Sequence, residues 1–235
     1  YVIFNSTATN LVADDLGGIR QIFMKDRQTG VVILVSRANG VNGAPADSGC
    51  DGAVISPNGR YVAFISAAKN LVTVPDMSAN THGQVYLRDV VNGTTVLMSR
   101  NGAGEPANAG CSSSGINSTG MFVTWRSTAT NLVDLNNDDQ YNATDDGNSA
   151  QDVFLHDVAG GVTELISVKY DGTTSGDAQS SRDYRSPVSD DGRYVAFSSL
   201  ATNLIDQQPA IGGKRQIFLR DRQLGNTILI SHGAN

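Results

Sequence analysis

Between Asp134 and Gly147, oxygen-bearing side chains crowd one short segment, with Asp134, Asn136 and Asp138 at alternate positions and Asn142, Asp145 and Asp146 following. Calcium favours such clusters because it takes roughly six to eight hard oxygen ligands in flexible geometry. Asp134, Asn136, Asp138 and Asp145 fall at positions 1, 3, 5 and 12 of a calcium-loop spacing, which makes Ca2+ the cofactor to expect if the segment holds one. Two departures oppose that chemistry. Asp139 stands where the turn glycine belongs, and Asp145 is shorter than the usual bidentate Glu. The helices that flank such a loop are missing from the pattern, and a solvated acidic loop is the competing reading.

The remaining reactive residues point to structure rather than catalysis. Cys50 and Cys111 lie one repeat apart in matching contexts, each just before an inner strand. A disulfide would need Cα atoms within about 7 Å, which adjacent inner strands often exceed; duplication of one small buried residue accounts for the pair as well. The histidines His82, His156 and His232 give the cysteines no support as a metal site. His156 takes the place of Lys25, Arg88 and Arg220 in the other copies and is expected to be an exposed strand residue. Asp26, Asp89, Asp157 and Asp221 recur in all four copies, as expected of a structural hydrogen-bonding group. No nucleophile elbow, zinc-protease helix or phosphate-cradling loop occurs, and no catalytic residue is assigned.

These residues are positioned by a repeated unit. Tyr1-Val2-Ile3-Phe4 returns as Tyr61-Val62-Ala63-Phe64, as Phe122-Val123-Thr124-Trp125 and as Tyr194-Val195-Ala196-Phe197. Each copy is followed by Ala-x-Asn-Leu-Val/Ile, at Ala8, Ala68, Ala129 and Ala201. In the second copy, strand-like runs at 53–55, 61–66, 84–89 and 94–99 are separated by Ser56-Pro57-Asn58-Gly59 and Asn92-Gly93, which are turn chemistry. Four short antiparallel strands per copy is the pattern of a propeller blade. The chain is therefore expected to be all-β, one β-propeller domain or segment with repeats at about 1–52, 53–115, 116–185 and 186–235.

Ser-Pro-Asn-Gly-Arg-Tyr-Val-Ala-Phe followed by Gln-Val-Tyr-Leu-Arg-Asp, residues 56–64 and 84–89, resembles the TolB-like β-propeller repeat family of WD40-like propeller repeats. The resemblance covers essentially the whole chain. It implies a binding scaffold whose motif residues are structural: turn glycines, blade-core aromatics and the Asp closing each third strand. Propellers commonly hold about four to eight blades and close on themselves. The first copy starts at a second strand and the last stops after a fourth, so the expectation is a segment of a six-bladed ring. A second chain closing the ring and a compact four-bladed form are the alternatives.

Composition narrows the partners. Hydrophobic residues make up 40% and charged residues 17%, with 25 glycines and a net charge of −6. An acidic chain without a basic stripe is not built for nucleic acid, and no apolar run has the length of a membrane helix. Scarce lysine beside abundant Asn, Ser, Thr and Gly points to export by a bacterium, to the periplasm or outside the cell. Within a blade, the second-to-third loops and the blade-to-blade links share one end, and they vary in length while the other turns stay short. Residues 134–151 stand where the other copies have only 13–20, 73–83 and 206–215. A protein or polysaccharide partner is therefore expected on that loop face. Two rivals stand beside this non-enzymatic scaffold. One is a glycan hydrolase or lyase, which needs two of Asp47, Asp51, Glu105, Asp177 and Asp183 to converge; the other is a spacer within a large surface protein.

Overall fold

The structure is a computed structural model and describes residues 1–73, 76–181, 186–206 and 213–231, except for the side chains of 113 and 114. Asp183 and His232 lie outside the described residues. Four antiparallel sheets follow one another along the chain. The first holds β1 (Val2–Ser6), β2 (Gln21–Lys25) and β3 (Val32–Leu34). The second holds β4 (Cys50–Ile55), β5 (Tyr61–Ser66), β6 (Gln84–Asp89) and β7 (Thr94–Leu97). The third holds β8 (Cys111–Ile116), β9 (Phe122–Ser127), β10 (Asp152–Asp157) and β11 (Val162–Leu165). The fourth holds β12 (Tyr194–Ser199), β13 (Gln216–Asp221) and β14 (Asn226–Leu229). On its inner side, among the described residues, the bridges Ser180–Ser199 and Val188–Val195 mark the place of a fourth strand. The inner strands of the second and third sheets both slip register, at Asp51/Val54 and at Ser112/Gly115, a bulge that increases local twist.

Each sheet is an up-and-down meander, because strands consecutive in the chain pair antiparallel and no connection has to cross over. The recurrent Asp makes the outer turns: Asp89 Oδ1 accepts the amides of Val91 and Asn92, and Asp26, Asp157 and Asp221 do the same in their own blades. The expected structural role of that residue is what the geometry shows. In two blades the same carboxylate also receives an arginine, Arg60 on Asp89 and Arg193 on Asp221, both at 2.7 Å. Those guanidinium groups also cover the rings of Tyr61 and Tyr194 at 4.9 Å.

Alternation along the strands gives every blade two apolar faces, and the faces of successive blades meet. The forward face of the first blade, Ile22, Met24 and Val35, packs on the rear face of the second, Val62, Phe64, Tyr86 and Leu97. Val85, Leu87 and Met98 then meet Val123, Trp125, Phe154 and Leu165. Val153, Leu155 and Ile166 meet Val195, Phe197 and Phe218. Each rear face is centred on one stacked cross-strand pair: Phe4–Phe23, Phe64–Tyr86, Trp125–Phe154 and Phe197–Phe218, with centroids 5.6–6.1 Å apart. Trp125 is a fully buried core residue, as its place in the repeat predicts.

The fourth blade departs from this pattern on its forward face. Ile217 is 41% exposed, whereas the residues at its place in the other blades, Ile22, Val85 and Val153, are 0–1% exposed. Ile230 is 48% exposed against 0–1% for Val35, Met98 and Ile166. At the other end of the stack, the rear face of the first blade is covered by its own loop, with Leu11, Val12 and Leu16 lying over Phe4, Phe23 and Leu34.

One steric contact recurs at all three junctions. The first aromatic of a blade's second strand lies on the turn glycine of the next blade. A Cβ would stand 2.4 Å from the Tyr1 ring at Gly59, 2.3 Å from the Tyr61 ring at Gly120 and 2.2 Å from the Phe122 ring at Gly192. All three glycines also have φ between 72° and 76°, so glycine is required twice over, by backbone conformation and by space.

The rear face also explains a departure from the sequence expectation for His156. It is buried at 1% exposure, not exposed, because the link from the preceding blade closes over its position. Arg88, its counterpart one blade earlier, is buried in the same way and donates to the Ala38, Gly40 and Gly93 carbonyls. Lys25, the counterpart in the first blade, is exposed. The Thr163 hydroxyl donates to the Arg100 carbonyl and lies 3.0 Å from His156 Nδ1. Nδ1 therefore carries the proton and donates to Thr163, and Nε2 is left as a buried acceptor with no partner.

Two outcomes follow from these contacts. Gly120→Ala should lose roughly 2–4 kcal/mol of stability, the left-handed backbone and the clash with Tyr61 each contributing; chemical denaturation measures it, and a loss near zero contradicts the packing described. Burial, and after it the Arg100 charge, push the His156 imidazole down to about 4. The unfolded chain then takes up this proton first, so stability should fall as pH drops from about 6.5 towards about 4 and be unaffected above that window. Denaturation midpoints of the protein and of His156→Asn at pH 7.5 and pH 5 isolate the effect as a difference: the variant should lose less stability on acidification than the protein does.

Candidate functional site

The loop end of the stack is a braced rim. In the second blade Asp47 Oδ1 accepts the Lys69 amide at 2.8 Å, while Asn70 accepts the Asp47 amide at 3.1 Å and donates to the Pro45 carbonyl at 2.8 Å. Asn108, Thr130 and Asn131 repeat the arrangement in the third blade, and Asp177, Thr202 and Asn203 repeat its core in the fourth. The Ala-x-Asn-Leu-Val/Ile signature is explained by this brace. Its Asn ties the second-to-third loop to the incoming link, while its Ala and Leu are core residues, as Ala68, Leu71, Ala129, Leu132, Ala201 and Leu204 show.

The links themselves are only partly free. Residues 37–45 double back as a hairpin, with Arg37 bridged to Pro45, and lie along the outer edge of the second blade. Thr95 Oγ1 donates to the Arg37 carbonyl at 2.5 Å and the Thr95 amide to Asn39 at 2.7 Å. Arg37 in turn pairs with Asp14 of the first blade. Part of what the sequence presents as a variable loop is therefore a strap joining neighbouring blades, which loop length alone could not reveal.

The insert 134–151 rises from the same rim in the third blade. Its four candidate calcium ligands form hydrogen bonds within the loop. Asp134 accepts the amides of Asp138 and Asp139, Asn136 Oδ1 accepts the Asp138 amide, and Asp138 Oδ1 accepts the Gln140 amide. Asp145 is fully buried, and its Oδ1 accepts the amides of Leu135 and Asn136 at 2.7 and 3.2 Å. Asn137 and Asp139 take up positive φ, 57° and 60°, the conformation for which the calcium loop uses glycine. Among the described residues no group of three or more His, Cys, Asp or Glu side chains is gathered as a metal site.

Behind the insert lie two acids that sequence reasoning did not single out as ligands. Asp146 and Asp152 are 2% and 0% exposed. The signal for Asp152 was available: it opens β10 where Gln21, Gln84 and Gln216 open the corresponding strands. Burial pushes both carboxyls above the usual range, and the charge of Asp146 pushes Asp152 further in the same direction.

The link acids are otherwise engaged. Asp51 pairs with Arg20 at 2.7 Å and accepts from Asn5, Glu105 accepts from Asn101, and Asp177 holds the Thr202 amide and hydroxyl. Cys50 and Cys111 are both free and buried, with thiols pushed up by burial to about 11 and about 12. They are inert core residues rather than a disulfide or a nucleophile.

No family model matches the chain, and no curated protein matches it. Among solved structures it is similar to TolB from Acinetobacter baumannii, at 12% identity and a TM-score of 0.45 over 90% of this chain and 37% of that one. It is similar to the tricorn protease at 11% identity and a TM-score of 0.48, over 86% of this chain and 15% of that one. An acylaminoacyl peptidase from Pyrococcus horikoshii has 12% identity and a TM-score of 0.46, over 91% and 28%. The chain thus spans well under two thirds of each of these proteins. Identity this low carries no function across. The strand order, the register and the meeting of faces within the chain itself make it a run of four β-propeller blades.

Proposed function

We propose that this chain is a non-enzymatic binding scaffold of an exported bacterial protein, presenting the rim of links and second-to-third loops to a protein or polysaccharide partner. The observation that carries the reading is the brace. Reciprocal Asn and Asp bonds between link and loop recur in three blades, so the loops are held in place before any partner arrives. Fixing loops in advance lowers the ordering cost of association. The rim also offers contact chemistry. Tyr170 is exposed, its ring lies under the Lys169 ammonium at 5.5 Å, and its amide is held by the Asn203 carbonyl. An anchored aromatic with an adjacent charge suits either a protein surface or a sugar face. The rival glycan-cleaving reading is weakened by the engagement of Asp47, Asp51, Glu105 and Asp177 in structural bonds.

The test uses immobilised chain to capture ligands from a bacterial envelope extract and from a panel of polysaccharides. It is repeated with Tyr170→Ala and with residues 137–143 replaced by a short glycine linker. Binding should weaken at least tenfold in the rim variants, about 1.4 kcal/mol or more, with unchanged melting temperature. Retention of the ligand by both variants moves the site elsewhere. Release of shortened glycans by the unmodified chain replaces the scaffold with the enzyme.

A further inference from the structure

The three other blades show what belongs at the start of the third strand. Gln21 Oε1 accepts from the Ser36 hydroxyl at 2.6 Å while its Nε2 donates to the Ala46 carbonyl at 2.8 Å. Gln84 does the same with Ser99 and Ala107, at 2.6 and 2.8 Å. Gln216 accepts from Ser231 at 2.5 Å. In the first and second blades, where the glutamine is buried, a neutral amide thus satisfies a neutral site.

The third blade replaces this arrangement with a pair of carboxyl groups. Asp152 Oδ1 accepts from Ser167 at 2.6 Å, as the glutamines do from their serines. The donor to the Gly176 carbonyl is now the Asn148 amide, supplied by the insert. The insert therefore takes over half of the glutamine's work and leaves Asp152 Oδ2 buried with no hydrogen-bond partner. It also brings in Asp146, whose Oδ1 accepts from Ser175 at 2.9 Å and whose Oδ2 is buried and likewise unpartnered. Among the described residues, the groups acting on the two carboxyls are Ser167, Ser175, Asn148 and each other, with no Lys or Arg. Two buried acids side by side, each with one oxygen that no donor among the described residues satisfies, must either share a proton or be neutralised by a cation.

We infer that the root of the insert holds a divalent, oxygen-ligated cation, calcium, between the Oδ2 atoms of Asp146 and Asp152. Calcium fits because all the donors on offer are oxygens and because it accepts irregular coordination, whereas magnesium demands a near-octahedral set. The site is distinct from the Asp134, Asn136, Asp138 and Asp145 set, whose oxygens serve the loop's own amides. It also gives the insert a purpose independent of any partner, since ligand-bearing Asp146 and carbonyl-capping Asn148 both come from it.

The experiment is a melting-temperature titration of the EDTA-treated chain with CaCl2 and, separately, MgCl2, with bound metal counted by native mass spectrometry. Calcium at about a hundred times its Kd should raise the melting temperature by roughly 5 °C or more, with one ion retained. Asp152→Gln, which restores the residue of the other blades, and Asp146→Asn should fold and melt normally in EDTA but lose both the shift and the ion. Asp134→Asn should keep both. A calcium shift that survives Asp152→Gln, or is abolished by Asp134→Asn alone, overturns the site. An unmodified chain insensitive to both metals means that the two acids share a proton instead.

Discussion

The structure depends on one contact made repeatedly, the forward face of a blade pressed on the rear face of the next. No sheet here is wide enough to bury its own apolar residues, and a sheet of three or four short strands is stable only when a face is covered. Each junction supplies that cover with one stacked aromatic pair at the centre and aliphatic residues around it. Burying side chains of this size stabilises by about 1.5–3 kcal/mol apiece. The polar devices are arranged around the contact: threonine hydroxyls pin the preceding link, arginines stack on strand aromatics, and aromatic rings rest on glycine turns.

Much of this was legible in the sequence. The four copies, the strand runs and the turn residues follow from spacing and residue type, because strand periodicity and turn stereochemistry are local properties. The fourfold Asp was readable as structural for the same reason, since its partners are amides two and three residues on. His156 was misread because its burial is decided by a link some fifty residues away, and nothing near position 156 announces it. Asn70 and its counterparts carry a similar lesson. Their motif was visible, but the bond from loop to link that explains it joins distant segments.

The third blade concentrates the departures from local consistency. Trp125 Nε1, His156 Nε2, Asp146 Oδ2 and Asp152 Oδ2 are all buried there without hydrogen-bond partners, and Arg100 Nε on the adjoining link joins them. Elsewhere among the described residues the same category holds only Ser198 Oγ. Unpaired buried polar atoms cost about 1–3 kcal/mol each, and proteins tolerate such costs mainly where something other than stability is at stake. The enlarged loop, the Gln-to-Asp change and most of the orphaned atoms fall in one blade, which separates it from its neighbours.

The exposed isoleucines of the fourth blade have a geometric consequence. Ile217 and Ile230 lie on a forward face, and at every junction within the stack a forward face meets a rear one. A junction of that kind is heterologous: it either closes on itself or runs on indefinitely. Which of the two occurs is set by the angle between successive blades, and the fit of Tyr1, Tyr61 and Phe122 against their glycines is a contact that all three junctions share.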